Sequence, residues 1–207
     1  MKHMVKLPGG VRVPALGQGT WCLGDTPETY AREIEALRAG IEAGMMLLDT
    51  AESYGDGRAE RLVGEAIRPY DRTKLFLVSK VMPSNAYGTQ LMQSLDRSLS
   101  HLGTDYLDLY LYHCRGERPL AEMVAAMEEA RAAGKIRAWG VSNLDTVDME
   151  ELWRVPGGKN CVVNQVLYHV GSRGIDYSLL PWMRAHGVAL MAYCPLAQVG
   201  RLGCDLL

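Results

Sequence analysis

Seven extended, mostly apolar stretches of the chain end in a polar or reactive residue: Thr20, Asp49, Lys80, His113, Asn143, Gln165 and Tyr193. A tyrosine, Tyr54, follows Asp49 closely on the glycine-bearing turn of LLDTAESYGDGRAE, residues 47–60. Each has a plain explanation taken alone. Asp49 could cap a turn or a helix, Lys80 could be solvated, His113 could be a satisfied half-buried histidine, and Tyr54 could pack with its hydroxyl in water. Together they suggest proton chemistry. A lysine kept as an ammonium by Asp49 would favour the phenolate of a neighbouring tyrosine, and Tyr54 is expected to titrate below the usual ~10. That would make it a proton donor or acceptor near neutrality. Such a donor suits reduction of a carbonyl, in which hydride reaches carbon while oxygen takes a proton, and the imidazole of His113 could orient and polarise that oxygen. No side chain is a hydride source, so the chemistry needs a nicotinamide cofactor. Ser142, Asn143 and Gln165 offer hydrogen bonds suited to a carboxamide, and Tyr193 offers a flat face for a ring. Lys80 as a Schiff-base nucleophile is the weaker reading, since a salt-bridged ammonium attacks carbonyls poorly.

These side chains must be brought together by elements that recur with one grammar. KLPGGVRVPALGQGTW places Gly9-Gly10 between two short apolar pieces, the two-residue turn chemistry of a hairpin, before a stretch ending at Gly19, Thr20 and Trp21. Helical spacing at Ile34, Leu37 and Ile41, closed by Gly44, precedes a strand at 45–48; Leu62, Val63, Ala66 and Ile67 precede one at 75–79. Leu91, Leu95, Leu99 and Leu102, stopped by Gly103, precede YLDLYLYH, and a helix around Met123, Met127 and Ala130, stopped by Gly134, precedes IRAWGVSN. Less regular helical material over 145–153 precedes CVVNQV, and Leu179, Leu180 and Met183, stopped by Gly187, precede VALMAY.

Alternating helices and strands imply a parallel sheet, either open and doubly wound or closed as a (β/α) barrel. A doubly wound sheet gathers its ligand contacts at one switch point, and its G-x-G-x-x-G after the first strand is absent. Polar residues at nearly every strand end fit a barrel, where all those ends face one mouth.

The stretches LDTAESYGDGRAE, LVSKV, DYLDLYLYH, GKIRAWGVSN, VVNQVLYH and MAYCPLAQVGRL occur in an order and spacing that resemble the aldo-keto reductases. The resemblance runs from the N-terminal hairpin to about Arg201. It implies an α/β fold, a (β/α)8 TIM barrel of aldo-keto reductase type with an N-terminal β-hairpin, lacking the eighth strand and C-terminal helices. It further implies NADPH as hydride donor and a catalytic tetrad of Asp49, Tyr54, Lys80 and His113, with Tyr54 as general acid. Cofactor-binding or pocket roles pass to Gly19, Thr20, Trp21, Asp49, Ser142, Asn143, Gln165, Tyr193, Pro195 and Leu196. NQVLYHVGSRGIDYSLLPW is most similar to the bacterial subgroup that reduces methylglyoxal and other small aldehydes. Cys114 stands where the family commonly has an aromatic residue, and Cys194 where serine is usual.

Bulk properties agree with a reading as one incomplete barrel domain over residues 1–207. The chain has 207 residues, 48% of them hydrophobic, against the ~250 of a typical eight-unit barrel. A net charge of -2, from 22 basic and 24 acidic residues, gives no argument for a nucleic-acid or anionic-membrane partner. Five cysteines without a C-x-x-C pair encode neither a disulfide framework nor a metal site. No leader-like apolar run or membrane-length segment stands out, so the expectation is a cytoplasmic protein acting on a small carbonyl substrate. A sequence ending at Leu207 leaves no eighth unit. The expectations that follow are self-association through the unclosed barrel edge, weakened NADPH binding, and, as the competing function, a catalytically impaired or non-catalytic nucleotide- or partner-binding remnant.

Overall fold

The computed structural model describes residues 4–197. It opens with an antiparallel hairpin, β1 (Met4–Lys6) against β2 (Arg12–Pro14), in which Lys6 faces Arg12. The connection is longer than the expected two-residue turn. Pro8–Gly10 forms a 3₁₀ turn and the Leu7 amide donates to the Val11 carbonyl at 2.7 Å. Proline fixes a φ suited to that turn, and Gly10 supplies the φ of +90° that ends it.

Seven parallel strands follow: β3 (Gly17–Gly19), β4 (Leu47–Asp49), β5 (Phe76–Val81), β6 (Leu107–Tyr112), β7 (Ile136–Ser142), β8 (Val163–Leu167) and β9 (Ala189–Tyr193). They lie side by side in chain order. A doubly wound sheet would reverse its order at a switch point, whereas a barrel requires this unbroken succession. Six helices alternate with them: α1 (Pro27–Glu42), α2 (Arg58–Ile67), α3 (Gly88–Leu102), α4 (Leu120–Ala132), α5 (Thr146–Arg154) and α6 (Leu179–His186).

The period-two alternation of each strand divides the apolar residues between two cores. Leu48, Leu77, Tyr110, Trp139 and Val166 face outward and pack with the helices. Leu47, Phe76, Val78, Leu109, Leu111 and Val163 face inward and form a separate cluster, closed at its lower end by Leu7 and Val13 of the hairpin. The helices bury the stripe their spacing predicts: Leu91, Leu95, Leu99 and Leu102 of α3 are all buried, and Gly103, at φ +66°, ends that helix.

Among the described residues β3 and β9 each pair on one side only, so the barrel is nearly closed rather than closed. A cavity of about 380 Å³ occupies that gap and reaches Gly19, Leu47, Asp49, Gln165, Met191 and Tyr193.

Candidate active site

The expected strand at 45–48 begins two residues later. Gly44, at φ +92°, turns the chain, and the Met45 amide is still engaged by the Gly40 carbonyl of α1. Asp49 is consequently the last residue of β4, in register with Gly19 of β3 and Val78 of β5. Its side chain shares the inward face with Leu47, and the same alternation aims Lys80 inward two residues beyond Val78. The sequence therefore brings a carboxylate and an ammonium to one height in the barrel.

There they meet. Lys80 is 1% exposed, and its Nζ donates to Asp49 Oδ1 at 2.6 Å, to the Thr50 carbonyl at 2.9 Å and to the Tyr54 hydroxyl at 3.3 Å. An ammonium has three donors, and all three have acceptors. Because the Tyr54 oxygen accepts from Lys80, its own proton is left free to be donated elsewhere. Asp49 Oδ2 in turn accepts from Gln165 Nε2 at 2.8 Å, a contact across the mouth from β4 to β8.

Tyr54 reaches this position on a tight turn in which Gly55, Asp56 and Gly57 all have positive φ. Two carboxylates that the sequence reading passed over secure that turn. Glu52 accepts from the Met82 amide at 2.7 Å and from Asn85 Nδ2 at 3.0 Å, and its own amide donates to the Lys80 carbonyl. Glu60, 1% exposed on α2, accepts from Ser79 Oγ at 2.7 Å, next to Lys80 in β5. Both lie within LDTAESYGDGRAE, and Glu60, an acidic residue on the apolar face of α2, was the clue available.

His113 leaves β6 at the same mouth, its amide bonded to the Val81 carbonyl. Its ring meets that of Tyr54 edge-on with centroids 5.8 Å apart, and Ser53 Oγ lies 3.4 Å from its Nδ1. Burial, and secondarily the Lys80 charge, push its pKa down to about 4, so the imidazole is neutral at pH 7. The expectation for Tyr54 is reversed. Lys80 does favour the phenolate, but burial outweighs it and the Asp49 charge adds to burial, so the tyrosine's pKa is raised. Tyr54 is a fully protonated acid at neutral pH. A cavity of about 420 Å³ opens over Tyr54 and His113, walled also by Trp21, Cys22, Met82 and Cys114.

The remaining predicted residues divide into two groups. Asn143, at φ +58°, donates from Nδ2 to the His113 carbonyl and to Ser142 Oγ, and its Oδ1 accepts from the Tyr193 hydroxyl at 3.0 Å. Ser142 Oγ donates to the Gln165 carbonyl at 2.8 Å. Gly19, Gln165, Tyr193 and Pro195 border the 380 Å³ cavity. Thr20 and Leu196 stand apart: the Thr20 hydroxyl is buried and bonded to the Asp49 carbonyl, and the Leu196 side chain is 70% exposed.

The Aldo/keto reductase family matches residues 15–203. The chain belongs to this family. Methylglyoxal reductase YeaE of Escherichia coli (strain K12) is 56% identical over 206 residues, covering 100% of this chain and 72% of that relative. Glyoxal reductase of Bacillus subtilis (strain 168) is 34% identical over 200 residues, 96% of this chain and 69% of the relative. An aldo-keto reductase from Klebsiella pneumoniae, crystallised in complex with NADPH, superposes with a TM-score of 0.94 at 52% identity, over 100% of this chain and 72% of that one. As in the resemblance drawn from sequence, this aldo/keto reductase pairs a barrel with a hairpin and a polar mouth, and its relatives extend well past the length shared with it.

Proposed function

We propose that the protein reduces small aldehydes and ketones, methylglyoxal among them, with NADPH, and that Tyr54 delivers the proton. The observation that carries this reading is the single cluster formed by Asp49, Lys80, Tyr54 and His113 at the barrel mouth, in which Lys80 touches both the carboxylate and the phenol.

The residues at the mouth fit a nicotinamide. The inner wall supplies amide and hydroxyl groups (Ser142, Asn143, Gln165) beside the ring of Tyr193, and a Cβ added to Gly19 would meet nothing within 4 Å, leaving room beside β3. When bound, the cofactor supplies hydride to the carbonyl carbon. The chain's own residues act on the oxygen. A carbonyl oxygen in the 420 Å³ cavity can accept from the free proton of Tyr54 and from the N–H of neutral His113. As negative charge builds on that oxygen, Tyr54 transfers its proton, and the Lys80 ammonium, already bonded to the phenol oxygen, stabilises the phenolate left behind. Asp49 keeps Lys80 charged and aimed. The raised pKa serves this direction of reaction, since a tyrosine that ionised early would have no proton to give.

The names of two relatives support the substrate class: a methylglyoxal reductase and a glyoxal reductase both act on small dicarbonyls by name. A cytoplasmic setting accords with the cysteines, since Cys22, Cys114, Cys161 and Cys194 are unpaired thiols. The impaired-remnant reading has less support, because the proton-transfer cluster is intact. The test is NADPH oxidation with methylglyoxal. Activity is expected, and Tyr54→Phe should lower kcat by about 10²- to 10⁴-fold. No turnover above background at saturating cofactor would overturn the reading.

A further inference from the structure

The substrate cavity carries a charge that proton transfer does not use. Of the described residues lining it, Asp25 is the one aspartate, glutamate, lysine or arginine. The others are aromatic, amide, hydroxyl, thiol and thioether side chains and one glycine, and His113 is uncharged at pH 7. Asp25 lies in the loop between β3 and α1. Its Oδ1 accepts from Arg58 Nη2 at 2.9 Å, and Arg58 is the first residue of α2, four positions after Tyr54.

The backbone is shaped around this pair. A Cβ at Gly55 would lie 2.7 Å from Asp25 Oδ1 and 3.1 Å from both Nε and Nη2 of Arg58, so carboxylate and guanidinium rest against the bare backbone of the residue after Tyr54. Gly24, at φ +75°, packs equally close to the Arg58 carbonyl, 3.1 Å from an added Cβ, and its amide is held by Glu33 at 2.8 Å. The Asp25 loop is thereby seated on the start of α2. Asp25 fronts the cavity, while Arg58 is not among the residues that line it.

We infer that Asp25 selects substrates by charge: it disfavours carbonyl compounds that carry a carboxylate away from the reacting group, and Arg58 holds it in place and tempers its field. This rests on the reading of the Tyr54 cavity as the substrate site. Removing the Asp25 charge leaves the Arg58 guanidinium unneutralised at the rim and weakens the discrimination; removing Arg58 leaves the carboxylate alone and strengthens it.

Benzaldehyde and 4-carboxybenzaldehyde test this, since they present the same aldehyde with and without a remote negative charge. The readout is the ratio of their kcat/KM values with NADPH. Asp25→Asn, nearly isosteric, should raise the ratio of carboxylated to neutral substrate by about 2- to 5-fold, and Arg58→Gln should lower it by a similar factor, as fits charges that are 41% and 48% exposed. Both changes should shrink at high salt. A purely structural role would reduce turnover of both aldehydes together and leave the ratio alone. Unmoved ratios, or both variants moving it the same way, would overturn the inference while wild-type turnover of benzaldehyde leaves the reductase reading standing. Absence of turnover with either aldehyde and with methylglyoxal overturns both.

Discussion

At the scale of single residues, the site is governed by one buried ammonium and its three acceptors. Lys80 and Asp49 form a pair in which either partner alone would be a largely buried, uncompensated charge, since their side chains are 1% and 14% exposed. Lys80→Met is expected to cost roughly 3–5 kcal/mol of stability in urea unfolding, because it strands the Asp49 carboxylate. Pairing it with Asp49→Asn should restore part of that loss. The pH dependence follows from two opposite shifts. As the proposed proton donor Tyr54 must be protonated to act, and its pKa is raised, so the alkaline fall in reductase kcat should come above the ordinary tyrosine range of ~10. His113 has a lowered folded pKa, so it contributes stability that is present above its ordinary value and lost as pH falls through about 4. Urea midpoints measured from pH 7 down to pH 4 should therefore decline, and His113→Gln should decline less over that window.

At the scale of elements, the register of short strands decides which side chains meet. Asp49 and Lys80 face inward because each stands two residues beyond an inward apolar side chain, Leu47 and Val78. A one-residue slip in either strand would turn its charged group outward among the helices. Helix packing is equally close. A Cβ on Gly64 of α2 would lie 2.4 Å from the His101 carbonyl of α3, a contact with backbone that cannot rotate away. Gly64→Ala is accordingly expected to destabilise the fold by about 1–3 kcal/mol despite alanine's better helix propensity, with thermal or urea unfolding as the check. That substitution moves α2, which starts four residues after Tyr54, so a lowered kcat should accompany it.

At the scale of the whole molecule, β3 and β9 leave one edge each without a strand partner among the described residues, and the 380 Å³ cavity lies between them. Unpaired edges attract further strands. All seven strands, the six helices and the inward carboxylate and ammonium were legible, because strand alternation, helical spacing and terminating glycines are local patterns. Asp49, Lys80 and His113 were legible as candidates because strand ends converge in any barrel, and Tyr54 because it follows Asp49 closely on a glycine-bearing turn.

What the sequence determined by itself is the order of the elements and the chemical inventory of the mouth: a carboxylate, a lysine and a histidine at successive strand ends, and a tyrosine on the turn after the first of them. Three things were decided only by tertiary structure. The direction of the Tyr54 shift depends on how deeply the ring is buried, which competes with a lysine contact that sequence could suggest but not weigh. The hairpin loop spans residues 7–11, closed by the Leu7–Val11 backbone bond, rather than turning on its two glycines alone. The placement of Asp25 at the substrate cavity required the packing of the β3–α1 loop on Gly55 and Arg58. Local chemistry is written along the chain, but burial and charge balance arise from contacts between residues far apart in it.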